Sequence, residues 1–211
     1  MIDYILHLDV HLTQLIENYH QWAYLILALI VFCETGLVAT PFLPGDSLLF
    51  AIGAISVKTE FLSLSIIIPL LFIAALLGDN LNYFMGKKFG TKLFKKKYFN
   101  RFLKRENLER THQFYEKHGG KTIVIARFLP IIRTFAPFVA GIAQMPFGRF
   151  ILFSVGGALF WIVSLTLAGF FLGNLPVIKD NFQIMVLIII AVSLLPVLIA
   201  YFKKPNTSNT P

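Results

Sequence analysis

The stretch Ala126-Arg127-Phe128-Leu129-Pro130-Ile131-Ile132-Arg133-Thr134-Phe135-Ala136-Pro137 decides the fold. It sets two arginines six residues apart in an otherwise apolar run and places prolines at two points. An arginine at bilayer depth costs roughly 2.5–3.5 kcal/mol on insertion scales, so two are kept only where something pairs with them. Pro130 and Pro137 deny a continuous helix its backbone bonds, which predicts that both break it. Broken backbone in a membrane is tolerated only where protein or a wet cavity covers it. The rest of the chain is expected to hold this segment and to supply its counter-charges.

Composition agrees. Of the 211 residues, 56% are hydrophobic and 14% charged, and the mean hydropathy is +0.72. Soluble domains carry about 25% charged residues. An all-α integral membrane protein with a single membrane domain over 1–204 is therefore expected, with no separate soluble domain. Cys33 is the only cysteine, which excludes an intrachain disulfide. No cleavable signal peptide is expected, because the N-terminus lacks a basic leading region.

The net charge of +8 is unevenly placed. Five acids, Asp3, Asp9, Glu17, Glu34 and Asp46, precede the first basic residue, Lys58. Between Lys87 and Lys121 lie 12 of the 19 lysines and arginines, against three acids. This places 87–121 in the cytoplasm as a basic surface segment facing anionic inner-leaflet lipids. Apolar flanks on both sides argue against a nucleic-acid partner.

Taken in order, residues 1–21 place Ile5, Leu8, Leu12, Leu15 and Tyr19 at helical spacing, an amphipathic helix at the interface or capping the bundle. His7, His11 and His20 are too irregular for a metal site, and no metal or cofactor is expected. Residues 22–57 hold two short apolar runs around Pro41, Pro44, Gly45 and Asp46, read as a re-entrant hairpin broken at Pro44 and Gly45. Residues 61–86 form a span, and 122–148 form a second hairpin around Pro130 and Pro137. Spans 150–172 and 181–202 follow, then a disordered tail over 205–211.

The halves share a plan. Phe42-Leu43-Pro44 matches Phe128-Leu129-Pro130, and each is followed by a return arm and a span ending in Gly-x-x-x-Gly. With 87–121 inside, the first hairpin enters from outside and the second from inside. Inverted repeats with broken helices meeting at the midplane are a transporter architecture. A full span over Trp22–Thr40 is the alternative; it puts the N-terminus in the cytoplasm and breaks the symmetry.

Glu34 and Asp46 sit on the first hairpin, Arg127 and Arg133 on the second. Buried ion pairs stabilise poorly, because desolvation offsets the Coulomb gain, so intramembrane charges point to function. A carboxylate in a low-dielectric cavity can load and release a proton. Arginine stays charged and offers a planar fork suited to phosphate. Asp79, near a span end, is a secondary candidate that equally fits a helix-terminal residue bonded to backbone.

At Phe32-Cys33-Glu34, Phe42-Leu43-Pro44-Gly45-Asp46-Ser47, Gly78-Asp79 with Tyr83, Arg127-Phe128-Leu129-Pro130 with Arg133, and Gly141, the chain resembles the DedA family of bacterial inner-membrane proteins. It is more distantly similar to eukaryotic VTT-domain proteins. The likeness covers roughly residues 20–200. It implies two re-entrant hairpins from opposite faces and movement of phospholipid or undecaprenyl phosphate between leaflets of the inner (plasma) membrane. It also implies proton-motive-force maintenance and envelope stress resistance. The family's essential acidic pair matches Glu34 and Asp46, its arginine pair Arg127 and Arg133, and Tyr83 joins Asp79 as a secondary position.

The leading expectation is a proton-dependent transporter of a lipid phosphate, with lipids and protons as partners and an oligomer possible. A proton-coupled antiporter of an ion or small solute is the alternative. A membrane phospholipid phosphatase comes third, because His112 and His118 lie far in sequence from both hairpin arginines and no nucleophile stands near them. The protein is thus expected not to be an enzyme.

Overall fold

A computed structural model describes residues 8–37, 45–57, 59, 61–93, 123–124, 127, 130–172 and 175. The predicted span 181–202, the tail, Pro44 and most of the basic segment 87–121 lie outside these residues. Among the described residues all regular structure is helical. The helices are α1 (Leu8–Tyr19), α2 (Gln21–Gly36), α3 (Gly45–Ser56), α4 (Leu64–Leu93), α5 (Pro130–Ile142) and α6 (Phe147–Leu172).

Two of these are long and apolar enough to cross a bilayer: Leu64–Lys88 of α4, and α6. Their patterning is inverted relative to a water-soluble helix. On α4 the apolar Ile66, Ile73, Leu77, Leu81 and Phe84 are exposed, while the polar Asp79 and Asn82 are buried. On α6, Leu152, Leu159 and Phe160 face outward, while Ser154 and Thr166 face inward. Only 33% and 39% of the two apolar stretches are buried. A soluble core helix would be mostly buried, so the outer surface of this integral membrane protein is matched to lipid tails.

The other helices are too short to span. At 1.5 Å per residue, α2, α3 and α5 reach about 24, 18 and 20 Å, against a hydrocarbon core of about 30 Å. Two contacts cross between the halves, α3 on α6 and α5 on α4, while α2 lies on α4 within the first half. Glycines set these contacts. A β-carbon on Gly53 would overlap the backbone of Thr166, and one on Gly169 that of Phe50. Likewise Gly86 abuts the backbone of Phe138, and Gly141 that of Tyr83.

The predicted span boundaries shift in two places. The span predicted over 61–86 runs on to Leu93, so the start of the basic segment continues the helix. Lysine is a good helix former, and nothing at Gly86–Gly90 stops the helix. The span predicted from 150 begins at Phe147, because Pro146 opens it by accepting from the N–H groups of Arg149 and Phe150, each at 3.0 Å.

Pro137 does not break the chain. It lies buried inside the continuous helix α5, while Pro130 occupies its first position. Proline at a first helical position costs nothing, because its missing N–H would have had no partner there. At Pro137 the helical bond to the Arg133 carbonyl, four residues back, is lost; the next carbonyl, that of Thr134, accepts from Asn82 Nδ2 at 2.6 Å. The α5 end is a Schellman turn: Met145 N–H donates to Ala140 and Gln144 N–H to Gly141, with Gln144 at φ 54°.

In α1 the buried stripe is Leu12 and Ile16, not a stripe ending on Tyr19, which is exposed. The helix stops at His20 (φ 45°) and docks on α2 and α3.

Candidate functional site

The buried charges form two clusters, not the single foursome that pairing all hairpin charges would give. In the first, Arg133 of α5 donates through Nη1 to Asp46 Oδ1 at 2.6 Å and through Nη2 to Glu34 Oε1. Glu34 comes from the last turn of α2 and Asp46 from the first turn of α3. The N-terminus of α3 therefore presents its positive dipole end to both acids. A β-carbon on Gly45 would overlap the Glu34 carboxylate, so the smallest residue is required where α3 starts.

Trp161 of α6 completes this cluster. Its indole Nε1–H donates to Asp46 Oδ1 at 2.8 Å, and the Arg133 guanidinium lies 4.5 Å from the centre of its ring. Glu34 and Arg133 are 1% and 4% exposed, and Trp161 is fully buried. Two carboxylates face one guanidinium, so the fully ionised cluster carries one surplus negative charge.

In the second cluster, Arg127 Nη2 pairs with Asp79 Oδ2 and reaches Ser154 Oγ at 3.2 Å and the Ser154 carbonyl at 3.3 Å. Ser154 Oγ–H donates to the same Asp79 oxygen. Gly157 leaves room for the arginine stem: a β-carbon there would lie 3.1 Å from Arg127 Cδ and Nε. Arg127 Nε and Nη1 are buried without a hydrogen-bond partner among the described residues. Arg127 thus does not join Glu34 and Asp46, and Asp79 is a mid-helix ion-pair partner and not a helix-terminal residue.

Tyr83 is fully buried, stacks on Phe150 and donates to the Met145 carbonyl at 2.5 Å. It holds the α5–α6 turn and touches neither charge cluster through its hydroxyl. Trp161, Ser154 and Asn82 were not singled out by the sequence. Trp161 and Ser154 sit within an uncharged run where hydropathy gives no signal, and Asn82 stands beside the more conspicuous Asp79.

The chain matches the family model described as the VTT domain over residues 43–171. It is 53% identical to Protein DedA of Escherichia coli (strain K12) over 197 residues, 93% of this chain and 90% of that protein. An uncharacterized membrane protein of Mycobacterium tuberculosis (strain ATCC 25618 / H37Rv) is 43% identical over 175 residues, covering 82% and 76%. Inner membrane protein YqjA of Escherichia coli (strain K12) is 34% identical over 180 residues, covering 85% and 79%. No solved structure matches.

Proposed function

The chain belongs to the DedA family of VTT-domain membrane proteins, and from that premise we propose that it carries a lipid phosphate between leaflets of the inner membrane, coupled to protons. One observation carries this reading: both Nη groups of Arg133 are held by carboxylates from the other half of the chain. A phosphate needs the same guanidinium fork. A proton taken up by Glu34 or Asp46 removes the surplus negative charge and weakens the acids' hold on Arg133, freeing it for the headgroup. Loss of the headgroup lets the acid ionise and close the pair again. Arg127, with Nε and Nη1 uncommitted, is a second phosphate donor, while the acyl or polyprenyl tail stays in the lipid.

The architecture supports alternating access. Helices α2, α3 and α5 are short enough to be re-entrant. The crosswise glycine contacts, Gly53 on Thr166 and Gly169 on Phe50, Gly86 on Phe138 and Gly141 on Tyr83, pair each proposed hairpin's return arm with the span of the other half. That exchange is what an inverted repeat of two hairpins would produce. The basic residues following α4 orient it with 87–121 inside.

We read the protein as a carrier and not as an enzyme. Ser154 places a hydroxyl beside buried charges, but its partner Asp79 is already paired with Arg127 and makes a poor general base. The test is a flipping assay in liposomes containing the purified protein and labelled polyprenyl phosphate or phospholipids, with Arg133→Ala as control. Flipping of a phosphate-bearing lipid, lost in Arg133→Ala, supports the reading. Movement of ions alone assigns an ion or solute antiporter instead, and phosphate release assigns a phosphatase.

A further inference from the structure

Asn82 lies on α4, fully buried, one turn beyond Asp79. Its Nδ2 donates to the Thr35 carbonyl at 3.2 Å and to the Thr134 carbonyl at 2.6 Å. Both partners are acceptors, so the amide can be oriented only one way, with nitrogen toward them. Thr35 and Thr134 are the residues that directly follow Glu34 and Arg133. Thr35 sits in the last turn of α2, where carbonyls have no partner within the helix. Thr134 follows the one residue of α5, Arg133, whose carbonyl loses its helical donor to Pro137.

We propose that Asn82 is a positioning residue for the acid–arginine site, its single amide nitrogen holding the backbone beside Glu34 and the backbone beside Arg133 at one fixed separation. Because α4 is the element both arms rest on, this latch sets the register in which the ion pair closes. Only a side chain with two hydrogens on one atom serves both carbonyls at this reach. Serine supplies one donor, and aspartate turns acceptors toward acceptors. The role rests on the carrier reading for its purpose, though its geometry can be tested apart from transport.

The experiment measures the coupling between Glu34 and Arg133 by a double-mutant cycle (Glu34→Gln, Arg133→Gln) on thermal unfolding of the purified full chain in detergent. The cycle is run with Asn82 intact and again with Asn82→Ala. The expected result is that Asn82→Ala at least halves the coupling, and that Asn82→Ser restores part of it. Unchanged coupling overturns the proposal, including the case where Asn82→Ala only lowers stability, because a scaffold residue would do that. If Asn82→Ala does not accumulate, Asn82→Ser carries the same reading, and failure of both to fold assigns Asn82 to the scaffold and overturns the proposal. Flipping measured in parallel separates the two claims. Flipping that survives Glu34→Gln and Arg133→Gln sinks the carrier site while leaving the latch to be judged by the coupling.

Discussion

Arg133 donates to Glu34 across 99 residues of sequence, with both side chains withdrawn from solvent. The pair is not symmetric, because Arg133 also serves Asp46, so one guanidinium is shared by two carboxylates. Arg133→Gln takes the guanidinium from two carboxylates at once, and removing one partner of a buried pair costs about 3–5 kcal/mol. Glu34→Gln leaves Arg133 paired with Asp46 and removes the surplus charge. Arg133→Gln should therefore lower the unfolding temperature in detergent and the membrane abundance clearly more than Glu34→Gln. Both should lower flipping at least tenfold. Equal stability loss from the two variants would contradict the two-acid geometry.

Arg133→Lys separates charge from shape. Lysine keeps the positive charge but is a single point, with no fork to meet Asp46 and Glu34 from two nitrogens. The expectation is a protein that inserts and accumulates close to normal, with flipping reduced at least tenfold. Full activity would show that the site needs only a cation.

The Asp79–Arg127 pair makes a separate prediction. Asp79→Asn and Arg127→Gln should each destabilise, because each leaves the other charge buried and unpaired. The double variant should cost less than the sum, with a coupling on the order of 1–3 kcal/mol in the unfolding cycle. Additive losses would mean that the two groups do not act on each other.

That pair also marks where the sequence stopped being readable. Charges interrupting apolar runs announce that they need partners, and the convergence of Glu34, Asp46 and Arg133 follows from that need. Which partner each takes is not legible. Asp79 stands at the end of an apolar run, where hydropathy reads an interface. The helix instead continues to Leu93, and Asp79 falls near its middle. Pro137 illustrates the opposite error, since its chemistry argues for a break. The helix nonetheless runs through it from Pro130 to Ile142, with one backbone bond fewer. Trp161 and Ser154 carry no charge, so only the packing of α6 against α3 and α4 discloses them.

Trp161 is where this missing information bears most directly on chemistry. Its indole shares Asp46 Oδ1 with Arg133 and lies under the guanidinium. Trp161→Phe keeps an aromatic face but removes the N–H donor. A hydrogen bond to a charged group contributes about 1.5–3 kcal/mol, and the cation–π contact weakens as well. Unfolding should shift by about that amount and flipping should fall. Leu152→Phe, on the lipid-facing side of the same helix, should change neither.

The glycine contacts test the crosswise packing independently of any charge. A β-carbon on Gly53 or Gly169 would point into backbone of the facing helix, which cannot turn aside as a side chain can. Forcing an extra carbon into a closed interface costs typically 1–3 kcal/mol. Gly53→Ala and Gly169→Ala should each lower the unfolding temperature and the amount of protein in the membrane. Gly156 is on the same α6 helix as Gly169, but nothing lies within 4 Å of its β position. Alanine there should be neutral or slightly stabilising, because alanine is the better helix former. If Gly156→Ala damaged the protein as much as Gly169→Ala, intolerance of any change in α6 would explain the loss at Gly169. If only Gly53 and Gly169 are sensitive, α3 rests backbone to backbone on α6, as the packing requires.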